Sequence, residues 1–239
     1  MNTTRVIPRV LALGLILAIA TGCVDENERD CIPDPFYAPT IAPADFVATV
    51  DASHFPLIPG STWSYEGGGE TIEVEVLTET KQILGVICTV VHDAVFEGGE
   101  LIEDTRDWYA QDVRGNVWYM GEDSREMEGG EVVSTAGSWE AGVDGAYPGY
   151  IMLADPVPGL IYRQEYYVCE AEDMAEIVSM GNTVTVPAGT FQDCIKVHEW
   201  NALVPDSDET KFFCPGVGLV LEIDQNGGRV ELVDFHIPF

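Results

Sequence analysis

Pairs of glycine recur along this chain between runs in which apolar and polar residues alternate. Glycine tolerates the positive φ of tight hairpin turns, and alternation with a period of two is typical of a strand with one buried face. Glycine-rich turns are predicted at 66–70, 97–100, 112–116, 128–131 and 224–228. Their spacing favours an all-β fold: a single antiparallel meander of about ten strands that forms a barrel, a half-barrel or a strongly curved sheet.

The alternation also assigns faces to individual segments. Residues 71–76 place three apolar side chains on one face and polar ones on the other, and 217–223 repeats this apolar pattern. A slip in the alternation within 229–237 predicts a β-bulge. At most one short helix is expected, at 170–180, and the Gly- and Pro-rich segment 141–158 is predicted to be a long loop.

The N-terminal residues are predicted to be an export signal. Two arginines precede an uncharged apolar run at 10–20, which is shorter than the roughly 20 residues that span a bilayer as a helix. The next residues, Ala20-Thr21-Gly22-Cys23, resemble the lipobox of bacterial lipoproteins, with Ala20 where that pattern prefers Leu. The resemblance implies that Cys23 carries acyl chains such as palmitate and becomes the new N-terminus. The alternative is ordinary signal cleavage after Ala20.

The sequence therefore divides into three predicted parts. Residues 1–22 are a signal peptide, 23–50 an acidic, Pro-rich tether, and 51–239 an all-β domain. Residue Val24 is not the Asp that retains lipoproteins at the inner membrane. We expect an envelope protein anchored by lipid, in the outer membrane if the cell is Gram-negative, or a secreted protein if Cys23 is unmodified.

Charge excludes some partners. The chain has 11 Lys and Arg against 41 Asp and Glu, a formal net charge of -30, and signal cleavage would remove two arginines and no acid, giving -32. Nucleic acid is not an expected partner, because phosphate backbones attract basic patches. The acids are interpreted as a solvating surface, with a cation-binding surface as the alternative. No cofactor and no metal site are predicted.

The cysteines give a partial prediction. With Cys23 lipidated, five remain, and their spacing fits no zinc motif. Export permits disulfides, and a Cys169–Cys214 pair is predicted because both lie near strand ends. Cys88 lies in a run that is apolar on both faces, which predicts a buried thiol.

Several motifs resemble those of an uncharacterised family of exported bacterial proteins and lipoproteins. They are DWYAQD at 107–112, GNVWYMGE at 115–122, FPLIPGSTW at 55–63, VPAGTFQDC at 186–194 and PGVGLV at 215–220. The family has no known activity, so the resemblance implies no catalytic residue. A looser similarity, in architecture alone, is to periplasmic lipoproteins whose curved sheet forms a half-barrel with an apolar concave face.

An aromatic hairpin supplies the candidate binding residues. Trp108 and Tyr109 lie on one predicted strand, and Trp118 and Tyr119 on the next. Because neighbours in a strand point to opposite faces, one set is expected in the core and the other on an outward platform for a lipid, glycan or peptide. The alternative is that all four are core. A second concentration of tyrosines surrounds the 141–158 loop, at Tyr147, Tyr150, Tyr162, Tyr166 and Tyr167.

The expected function is that of a non-enzymatic binding or envelope-associated protein, with the membrane as partner through its lipid and an apolar molecule or glycan as possible ligand. One alternative is a secreted hydrolase that uses carboxylates. Its candidate acids are Glu103, Asp104, Asp107, Glu122 and Asp123. The other alternative is a structural or assembly lipoprotein. No nucleophile elbow or HExxH zinc motif occurs in the sequence.

The lipobox resemblance gives the first test. When the chain is expressed in a bacterium, the wild type is expected in the membrane fraction, and Cys23→Ser is expected to be soluble or unprocessed, because a single residue carries the acyl chains. Fractionation followed by mass spectrometry of the N-terminal peptide measures both. Equal partitioning of the two proteins into membranes would contradict acylation at Cys23.

Overall fold

The computed structural model describes residues 33–201, 203–204 and 207–238, and within them it contains seventeen strands and one 3-10 turn, Pro43–Asp45. The strands are β1 (Val50–Ala52), β2 (Phe55–Leu57), β3 (Thr62–Gly67), β4 (Glu70–Ile83), β5 (Val86–Glu97), β6 (Glu100–Gln111), β7 (Val117–Glu128), β8 (Glu131–Ser134), β9 (Trp139–Glu140), β10 (Tyr147–Met152), β11 (Ile161–Arg163), β12 (Glu165–Tyr166), β13 (Asp173–Val186), β14 (Gly189–Asn201), β15 (Glu209–Cys214), β16 (Gly218–Asp224) and β17 (Arg229–His236). The signal peptide and Cys23 lie outside the described residues. In the part of the chain that is described, no helix has the length and apolar character needed to cross a membrane.

Fifteen of the strands form one large antiparallel sheet that curves into a nearly closed barrel, which confirms the predicted fold class, and β1 and β2 form a separate small sheet. Neighbouring strands follow the order β11, β13, β14, β15, β16, β17, β3, β4, β5, β6, β7, β10 and β12. The two ends of the sheet meet at Gln164, because β11 pairs with β13 while β12, one residue later, pairs with β10. The backbone N–H of Gln164 donates to the Asp173 carbonyl at 2.8 Å.

The closing strand, residues 161–166, packs tightly against β10. A Cβ at Gly149 would lie 2.4 Å from the Arg163 carbonyl oxygen and 2.5 Å from the Gln164 carbonyl carbon. These distances are shorter than non-bonded contacts allow, so only glycine permits this approach of the two backbones.

The predicted turns are confirmed. Residues Gly67 and Glu70 pair directly across the first turn, as do Glu97 with Glu100 and Glu128 with Glu131. The two central glycines of these three turns have φ between 60° and 99°, the backbone geometry that selects glycine. The predicted bulge near the C-terminus is also confirmed, as a register shift in β17.

Two local predictions are wrong. Most of the predicted helix at 170–180 is instead the first half of β13, which begins at Asp173, and its register against β14 is continuous from Asp173 to Ile177. There the alternating buried residues Asp173, Ala175 and Ile177 face the barrel interior, so pairing with β14 overrides the helical pattern. The predicted loop at 141–158 contains β10.

The interior of the barrel is filled by side chains. Phe55, in the small β1–β2 sheet, contacts Tyr109 of β6 at 5.3 Å and Phe213 of β15 at 6.0 Å between ring centroids. Because β6 and β15 are far apart in the strand order, Phe55 bridges the interior from one wall to the other. The Phe55 residue is 1% exposed, as expected for a core aromatic.

The disulfide prediction is wrong. Cys214 bonds to Cys194, because β14 and β15 are neighbours and the adjacent residues Ile195 and Phe213 are paired in register. Cys169 is itself disulfide-bonded, and it lies in the turn that follows β12. Cys88 is a buried free thiol, as predicted, and burial raises its pKa to about 12.

Residues 33–49, which belong to the predicted tether, contact the domain. The Tyr37 hydroxyl donates to the Pro148 carbonyl at 2.8 Å, and the Val47 N–H donates to the Gln111 carbonyl at 2.9 Å. The Phe46 ring lies 6.1 Å from that of Trp118. This part of the chain therefore contributes surface to the domain before the first strand begins.

The close approach at Gly149 gives a test of barrel closure. Gly149→Ala is expected to destabilise the protein by about 1–3 kcal/mol, because the new methyl group would clash with backbone atoms, which cannot rotate away as a side chain can. Thermal melting measures the loss, and hydrogen exchange is expected to rise at residues 161–166. The control is Gly181→Ala, inside β13 at a register shift, with φ 72° and open space around it, where any loss comes from backbone strain alone and exchange at 161–166 is expected to stay unchanged. Unchanged exchange at 161–166 in Gly149→Ala would contradict the closure described here.

Candidate functional site

The two tyrosines of the aromatic hairpin lie in the barrel interior. Tyr109 and Tyr119 are paired across β6 and β7, and their rings stack at 5.0 Å. The Trp139 ring packs edge-on against Tyr119 at 5.4 Å. The Tyr119 hydroxyl donates to the Asp107 carboxylate at 2.6 Å. These tyrosines are part of the core, as expected for one set of the four.

The two tryptophans face outward, yet they are covered. The Lys81 ammonium lies 3.2 Å from the Trp108 ring centroid, a cation–π contact. Trp118 packs against Phe46 and against Tyr150, 4.1 Å away. The two tryptophan residues are only 7% and 5% exposed. The expected outward platform is therefore not present at these residues, because neighbouring segments occupy its surface.

The acids considered for a hydrolase are divided between two faces. Asp107 and Glu122 are paired directly across β6 and β7, but they are 0% and 1% exposed. Glu103 is also buried. On the outer face Asp104 pairs with His92 and Arg106, and Asp123 with Arg125. No two of these acids face each other across an open cleft.

A network of buried carboxyl groups runs through the interior. Its members include one acid from each of seven strands, on both sides of the barrel: Asp93, Asp107, Glu122, Glu165, Asp173, Glu199 and Glu209. Neither carboxyl oxygen of Glu122 has a hydrogen-bond partner. Neither carboxyl oxygen of Glu165 makes a hydrogen bond of good geometry. The Trp139 indole and the Asp173 carboxyl are nevertheless close enough to shift the pKa of Glu165.

Burial controls the protonation of this network. Burial, and then the charge of Glu165, raise the pKa of Glu122 well above its usual range. Burial and the charge of Asp173 do the same for the pKa of Glu165. Burial raises the pKa of Asp107 to about 7, against the opposing Tyr119 hydrogen bond and the Lys211 charge. Glu122 and Glu165 therefore hold protons at neutral pH, where exposed acids are ionised, and Asp107 is about half protonated there.

The residue Lys211 supplies the positive charge of the interior. It is 1% exposed, and its Nζ lies 2.8 Å from Glu199, 3.5 Å from Glu209 and 3.6 Å from Glu222. Burial alone would lower the pKa of Lys211, but the three carboxylates outweigh it and raise the pKa well above its usual range. Across the described residues, no three acids, histidines or cysteines converge in a way that could hold a metal ion.

An open, tyrosine-lined cleft lies at the surface of the described part of the chain, and we call it the tyrosine cleft. It has a volume of about 400 Å³ and is lined on one side by residues 33–38 and on the other by residues 144–147 and 166–168. Its aromatic walls are Tyr37, Tyr147, Tyr166 and Tyr167. Three of these tyrosines belong to the group noted in the sequence. Tyr37 lies in the predicted tether, and nothing in the sequence marked it as a site residue.

The tyrosine cleft is held together by contacts between its walls. Tyr37 stands edge-on to Tyr166 at 5.3 Å and to Tyr147 at 6.4 Å. The backbone N–H of Asp34 donates to the Tyr166 hydroxyl. Arg163 lies 4.4 Å from the Tyr166 ring centroid and 3.4 Å from the Asp34 carboxylate. The cleft therefore presents aromatic faces and acidic groups, with its nearest cation already paired.

Comparison with known proteins identifies no relative of this chain. The chain matches no protein-family model, no curated protein and no solved structure.

The Lys211 cluster gives a test of the buried network. Lys211→Met is expected to cost about 3–5 kcal/mol at pH 8, because three carboxylates lose their buried counter-charge. The loss is expected to be smaller at pH 5, because burial raises the pKa of Glu222 and its protonation removes part of the unpaired charge. Denaturant unfolding at both pH values measures it. The control is Lys196→Met, a half-exposed lysine on β14. An equal loss at both pH values would contradict this account.

Proposed function

We propose that this protein is an exported, lipid-anchored binding protein without enzymatic activity, and that it holds a small neutral glycan in the tyrosine cleft. The observation that carries the proposal is a surface cleft of about 400 Å³ with four tyrosines in its walls. Its volume lies in the range of small-molecule sites, which are concave and mostly apolar with a few polar groups.

The chemistry of the tyrosine cleft suits a sugar. A tyrosine offers a flat apolar face and a hydroxyl group, and a sugar ring offers an apolar C–H face and several hydroxyls. The carboxylates of Asp34 and Asp144 can accept hydrogen bonds from sugar hydroxyls. An anionic ligand is disfavoured, because the chain carries a net charge of -30.

The position of the cleft fits an anchored protein. One wall begins at Pro33, ten residues after the predicted lipidation site Cys23. Ten residues span at most about 35 Å when fully extended. An acylated Cys23 would therefore keep the tyrosine cleft close to the membrane surface, where envelope glycans are found.

The two alternatives from the sequence have different support. The hydrolase is weakened because its best carboxyl pair, Asp107 and Glu122, is enclosed by the barrel and lies outside the cleft lining. A structural or assembly role is the second candidate. It is favoured by the filled interior, where Phe55 bridges the walls and takes the place of an apolar ligand.

The proposal is tested by binding measurements on the purified full chain. A panel of neutral oligosaccharides and a lipid extract are screened by native mass spectrometry. For a bound oligosaccharide, Tyr147→Ala and Tyr167→Ala are each expected to weaken affinity at least tenfold, about 1.4 kcal/mol. The matched control is Tyr150→Ala, a half-buried tyrosine on the same strand as Tyr147 that packs on Trp118 outside the cleft.

The outcomes separate the candidates. Oligosaccharide binding that is lost in the two cleft variants and kept in Tyr150→Ala supports the proposal. Binding of lipid alone, or equal loss in all three folded variants, contradicts a glycan site in the tyrosine cleft. If no ligand binds, the structural or assembly role becomes the leading candidate function.

A further inference from the structure

The two ends of the barrel differ in the side chains that they expose. Successive turns of an antiparallel meander lie at alternate ends, because each strand runs back along the one before it. The register places the β3–β4, β5–β6 and β7–β8 turns at one end, and the β4–β5 and β6–β7 turns at the other. The first three turns and the residues beside them carry five exposed glutamates: Glu66, Glu97, Glu100, Glu128 and Glu131. We call this end the acidic rim.

The opposite end is one continuous surface. The β4–β5 turn packs on the 3-10 turn that precedes β1, since a Cβ at Gly85 would lie 3.0 Å from a ring carbon of its first residue. The β6–β7 turn contacts the same segment, because the Val113 N–H donates to the carbonyl of its last residue at 2.8 Å. That β6–β7 turn also holds the loop before β11, through a 2.9 Å hydrogen bond from the Ala154 N–H to the Asn116 side chain.

Six large apolar side chains are exposed along this surface, which we call the apolar rim. Their exposed fractions run from 43% to 63%. They are Leu84, Ile87, Val113, Val157, Leu160 and Ile161. Single exposed apolar residues are common on soluble proteins, whereas a contiguous group is typical of a surface that contacts a partner or a membrane.

The described part of the chain begins beside the apolar rim. The Asp34 carboxylate lies 3.4 Å from the Arg163 guanidinium. Ile161 lies on the same outward face of β11 as Arg163, because Tyr162 between them is buried. The predicted lipidation site Cys23 is eleven residues before Asp34, and such a segment spans at most about 40 Å. A bilayer that holds acyl chains on Cys23 is therefore within reach of the rim.

We propose that the apolar rim docks on the bilayer surface that holds the acyl chains, with the acidic rim turned toward the aqueous side. This inference rests on the lipid anchor of the proposed function. Apolar side chains of a peripheral protein insert at the boundary between lipid headgroups and acyl chains. Because the anchor makes docking an intramolecular event, a small apolar surface is sufficient to hold the domain against the membrane.

The distribution of charge supports this orientation and indicates the kind of lipid. Anionic headgroups repel the glutamates of the acidic rim. Cations beside the apolar rim are already paired, Lys81 with Glu140 at 2.8 Å and Arg114 with Asp112 at 3.4 Å. Asp155, in the loop before β11, is an exposed acid. The docking surface is therefore a zwitterionic bilayer, which attracts the rim through its apolar side chains rather than through charge.

Fluorescence quenching on the full acylated chain tests the docking. Val157→Trp places a reporter at the apolar rim, and Val133→Trp is the matched control on β8 beside the acidic rim. The two valines are 58% and 56% exposed, so the reporters differ mainly in position. Each protein is bound to phosphatidylcholine vesicles with or without bromine on the acyl chains, and the wild type gives the background of its own five tryptophans. Bromine in the acyl chains is expected to reduce the added emission of Val157→Trp at least about twofold and to leave that of Val133→Trp unchanged.

The outcomes distinguish the docking from the anchor. Quenching confined to the apolar rim supports the proposal. Equal quenching of both reporters, or none in vesicle-bound Val157→Trp, overturns the docking while the anchor stands, and assigns the rim to a protein partner. A wild type that carries no acyl group and stays off the vesicles contradicts the anchor and the docking together. Stronger quenching in vesicles of anionic phosphatidylglycerol overturns the assignment to zwitterionic lipid. If Val157→Trp does not fold, Val113→Trp is the second reporter of the same rim.

Discussion

Acidic side chains inside the barrel are the constraint on which the rest of the structure depends. A buried carboxylate without a donor or counter-charge costs several kcal/mol. Lys211 meets this need on one side of the interior, where three glutamates surround it. On the other side Glu122 has no partner and Glu165 has only weak ones, so protons must take the place of a cation. The fold thus favours the neutral forms of Glu122 and Glu165, which Lys211 does not contact.

One short strand connects this interior to the surface. Along residues 163–166 the regular alternation is broken at Gln164: Arg163 and Tyr166 lie at the tyrosine cleft, while Gln164 and Glu165 are both buried in the interior. The interruption between β11 and β12 therefore places two consecutive side chains on the interior side. One segment of four residues thus contributes both to the wall of the tyrosine cleft and to the buried acids of the interior.

The sequence predicted the parts of the fold that depend on local rules. Glycine pairs located the turns, and alternation located the buried face of 72–76. The same rule failed for Glu199, Lys211 and Glu222, because a pattern of apolar and polar residues assigns charged side chains to solvent and cannot show that they neutralise one another inside. The alternation rule also failed for Trp108. It places this side chain on the outer face, but Lys81 from another strand covers the ring there. The tyrosine cleft was visible only in part, because Tyr37 reaches it from outside the predicted domain.

Composition alone also overstates the charge that the folded protein presents. The formal charge of -30 counts every acid as ionised, yet burial raises the pKa of Glu70, Glu103 and Asp107 to about 7. Part of the acidic excess therefore lies in the core as neutral carboxyl groups. Salt and pH must then act on different populations. Salt screens the exposed acids but reaches the interior ones poorly, whereas protons act on both. A fall in pH from 8 to 5 relieves surface repulsion and supplies the interior donors together, and salt can reproduce only the first of these effects.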